Sequence, residues 1–190
     1  MRTLETERLL LRPFTLDNVA EIHRQVYSDP IVCEHYCGKT RALEETRQWI
    51  AYRIWQLKDS QLGFLAVERK ADRELLGLVA LQHYVASWIV WEDAPSLPFA
   101  TLEVELTYAL GRAHWKQGYA TEACRALIDY AFRELRIPRL AYAVSGANPN
   151  SYNLMRRLGF RLGKNLHPDA VGKDDVVGVL ENTLLAKGGA

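Results

Sequence analysis

The sequence predicts a mixed α/β (α+β) domain with a central mixed sheet of about six to seven strands and about four helices. Residues 102–110 alternate apolar and polar side chains with a period of two, which is typical of a strand with two different faces. From Ala120 onward, apolar side chains recur at helical spacing, which is typical of a helix with one buried stripe. Segments of both kinds follow one another along the chain, which predicts the mixed class.

The N-terminal part is predicted to form one strand and two helices. Residues 8–14 are an apolar run that indicates the first strand. Thr15 or Asp17 would cap a helix over residues 15–27, which ends before an Asp-Pro break. A second, amphipathic helix is predicted over residues 40–59, with its first residue, a threonine, as the cap.

A hairpin and a long loop are predicted next. Residues 62–69 and 74–84 have strand composition and are separated by four polar residues, a connection of hairpin length. Residues 85–100 carry two tryptophans and two prolines, so we predict a long loop. This loop would contact a ligand, pack on the sheet or make a dimer contact.

The C-terminal part alternates helices and strands. A helix is predicted over about residues 119–135 and a short strand over 139–145, with a proline break between them. A short helix over about residues 148–159 begins after an Asn-Pro-Asn-Ser signal and closes at a glycine, before an extended stretch. Residues 176–185 are rich in β-branched side chains and are predicted as the last strand.

Composition places the chain among ordinary globular enzymes or binding proteins. Its 190 residues are 48% hydrophobic and 25% charged, which suits one domain over residues 1–190. Because 24 basic residues balance 23 acidic ones, no charge footprint favours nucleic acid or an anionic membrane. No segment resembles a signal peptide or a bilayer span, and the three cysteines form no disulfide or zinc pattern, so we expect a cytoplasmic protein without a metal.

The turn at residues 114–119 joins the strand over 102–110 to the helix that follows. Gly118 permits a close backbone approach or an unusual dihedral angle, and Lys116 adds a cation. The first turn of the helix leaves backbone amides unpaired at the positive end of the helix dipole. These features predict a phosphate or pyrophosphate site, although the same pattern also forms ordinary connections.

Three motifs resemble the GCN5-related N-acetyltransferase (GNAT) superfamily, and specifically its RimJ/RimL-like branch of ribosomal-protein alanine N-acetyltransferases. They are TERLLLRPF at residues 6–14, WKQGYATEA at 115–123 and NPNSYNLMRRLGF at 148–160. The resemblance implies a strongly twisted sheet that is splayed in the middle and has helices on both faces. It also implies that acetyl coenzyme A (acetyl-CoA) enters between the strands at 102–110 and 139–145.

The resemblance also implies which residues bind acetyl-CoA. Main-chain groups near Tyr108 and Leu110 would pair with the pantetheine arm, and Asn148 and Ser151 would approach its sulfur end. The pyrophosphate would be held by the loop residues Trp115, Lys116, Gln117, Gly118, Tyr119, Ala120 and Thr121.

The chain departs from the family pattern at two of these motif positions. The branch usually has glycine at the position of Lys116. Many superfamily members have a tyrosine acid where this chain has Met155.

Acetyl transfer to an amine requires a base for the amine and an acid for the departing thiolate. Glu103 and Glu105 are two residues apart on one strand, so they share a face and could raise each other's proton affinity. Glu105 is the first choice of base because it resembles the glutamate of the branch, although both carboxylates could instead be solvated or paired with arginines. Ser151 is the candidate acid, or else a helix cap or a cofactor contact. His83 and His114 are further candidates for proton relay.

We therefore expect an acetyl-CoA-dependent N-acetyltransferase that acts on a primary amine. An open groove near Glu103 and Glu105 would suit a peptide N-terminus, whereas a closed pocket beneath Trp88 and Trp91 would suit a small-molecule amine. The alternatives are a noncatalytic acyl-CoA sensor, or transfer of another acyl group such as succinyl, whose carboxylate Arg112 would recognise. A homodimer is also compatible with the aromatic residues of the 85–100 segment.

Overall fold

The computed structural model describes residues 1–56, 58–85, 102–144, 148–165 and 176–186. The strands are β1 (Leu4–Glu5), β2 (Leu9–Pro13), β3 (Gly63–Arg69), β4 (Leu75–Val85), β5 (Leu102–Leu110), β6 (Arg139–Val144), β7 (Arg161–Lys164) and β8 (Val176–Glu181). The α-helices are α1 (Val19–Ile22), α2 (Pro30–Tyr36), α3 (Leu43–Gln56), α4 (Tyr119–Asp129), α5 (Pro149–Arg157) and α6 (Thr183–Ala186). Two π-helical turns, His23–Tyr27 and Tyr130–Glu134, extend α1 and α4.

The sheet is mixed, which confirms the predicted fold class. Its strand order is β1-β2-β3-β4-β5-β6-β8-β7. Strands β5 and β6 are parallel and share a single aligned pair, Glu105 with Ala141. Every other pairing whose register the structure describes is antiparallel, and β6 and β8 align along the whole of Arg139–Val144. Among the pairings whose register the structure describes, the parallel pair has the fewest aligned residues.

The chain forms two compact units. The first contains Met1–Gln82 and Thr107–Leu127, and its core lies between helices α1 to α3 and strands β2 to β4. Aromatic rings dominate one part of this core, where Trp49 lies 5.2 Å from Tyr27 and 5.1 Å from Phe64 between ring centroids.

The second unit contains His83–Leu106 and Ile128–Ala190. Its buried side chains come from β6, β8, the π-helical turn after α4, and α5, in which Leu154 and Met155 are buried. In the part of the chain that the structure describes, no helix is long and apolar enough to cross a membrane.

Helix α2 was not predicted from the sequence, because Asp29 and Pro30 were interpreted as a break. The Asp29 carboxylate accepts hydrogen bonds from the amides of Ile31 and Val32 at 3.0 and 3.4 Å, and Pro30 occupies the first helical position. Proline is favoured there because its missing N–H would have no partner anyway. The same two residues therefore start a helix.

The predicted start of the next helix at Thr40 was also wrong. Helix α3 begins at Leu43, and the Glu45 carboxylate accepts the amide hydrogen of Ala42 at 2.6 Å. A glutamate in the first turn thus satisfies an exposed backbone donor that the threonine was expected to satisfy.

The last strand is shorter than the predicted range of 176–185. Strand β8 ends at Glu181, because the Asn182 side chain donates to the carbonyls of Phe132 and Ile137 at 3.0 and 2.9 Å. The side-chain oxygen of Asn182 accepts a hydrogen bond from the amide of Leu184 at 3.1 Å, at the start of the short helix α6. One asparagine therefore ends the strand and begins the helix.

Candidate active site

The loop between β5 and α4 is fixed to the end of the strand by a tryptophan. The Trp115 indole nitrogen donates to the carbonyl of Leu110 at 2.7 Å, and its ring packs against the core of the first unit. Leu110 is buried and Tyr108 is half-buried. The carbonyl of Leu110, one of the main-chain groups expected near the pantetheine arm, thus already accepts one hydrogen bond.

Two residues of this loop have left-handed backbone conformations. Gly118 has φ +84°, and Lys116 has φ +60°. Glycine adopts such angles readily, whereas other L-residues are strained there. The glycine that the resemblance implies at the position of Lys116 would avoid this strain.

Replacing Lys116 with Gly is therefore expected to stabilise the protein by about 1 kcal/mol relative to Lys116→Ala, which removes the same cation but keeps the strain. Urea unfolding of the two variants measures this difference. Equal stability of the two variants would show that the left-handed angle carries no cost.

The first turn of helix α4 presents unpaired amides. Glu122 is the first residue whose amide bonds within the helix, to the carbonyl of Gly118 at 3.0 Å. The amides of Tyr119, Ala120 and Thr121 precede it and have no acceptor within the helix. These donors and the exposed cation of Lys116 form a site whose chemistry suits a phosphate group.

A network from the N-terminal motif holds this loop, and sequence analysis missed it. Glu122 accepts hydrogen bonds from the hydroxyl of Thr6 at 2.6 Å, and from the amide and Nε of Arg8 at 2.8 and 2.7 Å. Arg8 also donates to the carbonyl of Gln117 at 3.0 Å and lies over the Tyr119 ring at 4.5 Å. Burial raises the pKa of Glu122, but these hydrogen bonds outweigh burial and hold the pKa below its usual value.

Replacing Glu122 with Gln is expected to weaken binding of a pyrophosphate-bearing ligand at this loop about tenfold, because the loop loses charge-assisted hydrogen bonds worth about 1.5–3 kcal/mol. Titration calorimetry measures the affinity. Glu44→Gln is the matched control, since Glu44 is exposed and lies 3.7 Å from Arg47 in a surface ion pair.

The stability of the Glu122 variant should also depend less on pH. A carboxylate with a lowered folded pKa stabilises the fold above its unfolded pKa and loses that contribution as the pH falls through the folded pKa. Unchanged affinity and unchanged acid sensitivity in Glu122→Gln would contradict the positioning role.

Glu103 is buried and forms a two-point ion pair with Arg139 in the second unit. The Arg139 Nε lies 2.9 Å from one carboxylate oxygen, and its Nη2 contacts the other. The pairing raises the pKa of Arg139. The neighbouring Leu102 is exposed, so the expected alternation of β5 is reversed at its first two residues.

Glu105 is half-buried and is aligned with Ala141 on β6. Glu103, by contrast, is buried and held by Arg139. The two carboxylates therefore differ in burial, although they are two residues apart on the same strand.

Ser151 and Tyr142 form a buried pair of hydroxyl groups. Their oxygens are 2.5 Å apart, and the Tyr142 ring packs against Phe160. Asn148 is the helix cap, because its side-chain oxygen accepts the amide hydrogen of Ser151 at 3.1 Å. The Ser151 hydroxyl is thus not the cap. Met155, which stands where the resemblance implies a tyrosine acid, is fully buried.

Of the remaining candidates, Arg112 and His114 have structural partners, His83 is exposed, and the two tryptophans lie outside the described residues. Arg112 donates to Asp29 at 2.5 Å, which occupies the group suggested for a succinyl carboxylate. His114 is buried beside Gln25, and burial lowers its pKa, whereas His83 is exposed. Trp88, Trp91 and nearly all of the predicted loop over 85–100 lie outside the described residues.

Residues 8–161 match the family described as the acetyltransferase (GNAT) domain. The chain belongs to this family, which confirms the family predicted from the motifs, and the protein is an acetyltransferase. Proteins with the GNAT fold use acetyl-CoA as the acetyl donor.

Relatives and solved structures agree with this assignment. A protein of Bacillus licheniformis named an uncharacterized N-acetyltransferase is 31% identical over 163 residues, which cover 85% of this chain and 83% of the relative. The crystal structure of an acetyltransferase from Agrobacterium tumefaciens matches with a TM-score of 0.73 and 26% identity over 95% of both chains. RimL, a ribosomal L7/L12 alpha-N-protein acetyltransferase in complex with coenzyme A, matches with a TM-score of 0.74 and 17% identity over 95% of this chain and 98% of RimL.

Proposed function

We propose that the protein transfers an acetyl group from acetyl-CoA directly to a primary amine, as an N-acetyltransferase. The observation that carries this proposal is the loop at residues 115–121, where left-handed residues precede a helix start with unpaired amides. This arrangement suits the pyrophosphate of acetyl-CoA, because amide donors, the helix dipole and the cation of Lys116 all favour negative charge.

In this proposal Glu105 removes the proton from the acceptor ammonium, directly or through water. A neutral nitrogen can then attack the thioester carbonyl, and the C–N bond forms as the C–S bond breaks. A backbone amide of the β5 segment Tyr108–Leu110 stabilises the charge that develops on the carbonyl oxygen. Glu103 keeps its partner Arg139 and serves the structure of the second unit.

Ser151 donates a proton or a hydrogen bond to the departing thiolate. Its hydroxyl is aligned by Tyr142, and a phenol that bonds to the serine can replenish the proton that the serine gives up. The pair supplies the hydroxyl chemistry that the family often obtains from a tyrosine at the position of Met155. Bound acetyl-CoA supplies the activated acetyl group.

The proposal also includes the chemical class of the acceptor amine. The motifs favour the RimJ/RimL-like branch and hence a protein N-terminus, and a small-molecule amine is the alternative. We place the reaction in the cytoplasm, where the three free cysteines would stay reduced. A homodimer, a single domain over residues 1–190 and the absence of a metal cofactor remain predictions.

The test is thiol release from acetyl-CoA with a panel of N-terminal peptides and a panel of small amines. Thiol release that depends on an amine, with the N-acetylated product identified by mass spectrometry, is the expected result. Binding of acetyl-CoA without turnover on any amine would favour the noncatalytic sensor. Faster turnover with succinyl-CoA would favour succinyl transfer, although Arg112 is already paired with Asp29.

A further inference from the structure

A cavity of about 200 Å³ lies between helix α3 and the neighbouring ends of β2 and β3 in the first unit. Its walls include the rings of Phe14, Trp49 and Phe64, and its polar lining includes Arg53 and Lys58. No aspartate or glutamate is among the described residues that line it. The cavity is therefore apolar in its body and positively charged at its polar positions.

Arg53 is a half-buried cation without a carboxylate partner among the described residues. Its guanidinium carbon lies 4.7 Å from the Phe64 ring centroid and 5.2 Å from that of Trp49. Its Nη1 donates to the side chain of Gln56 at 2.9 Å, whereas its buried Nε has no hydrogen-bond partner. Buried polar atoms are rarely left without partners, so Arg53 keeps an unmet hydrogen-bonding capacity beside the cavity that it lines.

A second arginine, Arg41, stacks on the Trp49 ring that forms part of the cavity wall but does not itself line the cavity. The Arg41 guanidinium carbon also lies 5.2 Å from the Trp49 ring centroid, and 4.6 Å from that of Tyr27. Its buried Nη1 is likewise without a partner, and no ion pair of Arg41 is described. Stacking on rings uses the faces of a guanidinium but leaves its in-plane N–H donors available for an anion.

The charge and size of the cavity restrict its occupant. The side-chain cations of Arg53 and Lys58, which line the cavity, disfavour polycationic molecules such as polyamines or aminoglycosides. A carboxylate matches the geometry of a guanidinium, and aromatic walls suit an apolar body beside it. Since a cavity of about 150 Å³ holds benzene, this one has room for a ring and a short side chain.

We propose that this cavity binds a small organic carboxylate with an apolar body, paired with Arg53. The carboxylate belongs either to the acceptor amine or to a separate effector. If the carboxylate belongs to the acceptor amine, the inference rests on the proposed acetyltransferase function. Binding of a carboxylate in the cavity does not depend on that function.

The binding test compares 3-phenylpropionate with the uncharged 3-phenylpropanamide by ligand-observed NMR titration. Wild-type protein is expected to bind the carboxylate at least tenfold more tightly than the amide. Arg53→Met should remove this preference, and Arg53→Lys should retain part of it. Arg47→Met is the matched control, since Arg47 is an exposed arginine of the same helix and does not line the cavity.

Equal affinity for the two probes, or an unchanged preference in an Arg53→Met variant that unfolds at the wild-type temperature, would overturn the proposal. Acetylation of phenylalanine, which has a carboxylate, is then compared with acetylation of 2-phenylethylamine, which has none. This comparison shows whether the bound carboxylate belongs to the acceptor amine or to an effector. If Arg53→Met raises KM for phenylalanine alone, the carboxylate belongs to the acceptor. If carboxylate binding is lost and neither KM changes, the site binds an effector. Both results support the site, and acetyl-CoA titration tests the proposed function separately.

Discussion

Replacing Glu105 with Gln is expected to lower kcat by about 10²–10⁴-fold, the usual contribution of a positioned base. The amide cannot take a proton from the acceptor ammonium, yet it preserves the size of the side chain. Steady-state thiol release at saturating acceptor measures kcat.

Glu103→Gln is the matched control for this prediction, since it makes the same change two residues away on β5. Loss of the charge weakens the two-point pair between the buried Glu103 and the half-buried Arg139, so we expect a loss of stability of about 1–2 kcal/mol. The catalytic loss should be small when the assay is run well below the unfolding temperature. A large fall in kcat in Glu103→Gln with little change in Glu105→Gln would reverse the assignment.

Replacing Ser151 with Ala is expected to lower kcat by about 10²-fold, because the thiolate loses its proton donor. Removal of the hydroxyl also leaves the buried Tyr142 hydroxyl without this partner, so unfolding should be followed in parallel. Single-turnover thiol release at saturating acetyl-CoA isolates the chemical step from binding.

Two further variants separate proton donation from packing at this pair. Ser151→Thr keeps a hydroxyl and should retain more activity than Ser151→Ala. Tyr142→Phe keeps the ring against Phe160 but removes the proton source, so an intermediate loss of kcat with nearly unchanged stability is expected. Full activity in Ser151→Ala would show that the thiolate departs without this acid.

Local sequence signals predicted the mixed class, the strand β5, the loop and the helix after it. These elements depend on periodicity, glycine and helix-start chemistry over a few residues, and Asn148 was recognisable as part of a start signal for the same reason. The Asp29-Pro30 pair shows the limit of this approach. The same dipeptide is typical of both a break and a capped helix start, and only the residues packed around it decide.

The polar partners of the site could not be predicted, because they come from distant parts of the chain. Arg8 and Glu122 are 114 positions apart, and Glu103 and Arg139 are 36 apart. Tyr142 has the ordinary composition of a buried strand, and no local pattern shows that its hydroxyl reaches Ser151. The burial of Glu103 beside Arg139 likewise depends on two strands that are distant in the sequence, so no local pattern shows it.

The central claim is that the loop over residues 115–121 binds acetyl-CoA, and titration calorimetry of acetyl-CoA into wild-type protein and Gly118→Val tests it most directly. Gly118 has a left-handed φ, and a Cβ there would lie 3.2 Å from the Arg8 guanidinium, so valine should distort the loop and displace Arg8. We predict saturable binding at one site in wild-type protein and at least a tenfold loss in a folded Gly118→Val variant. Absence of binding in wild-type protein, or equal affinity in the two proteins, would contradict the claim.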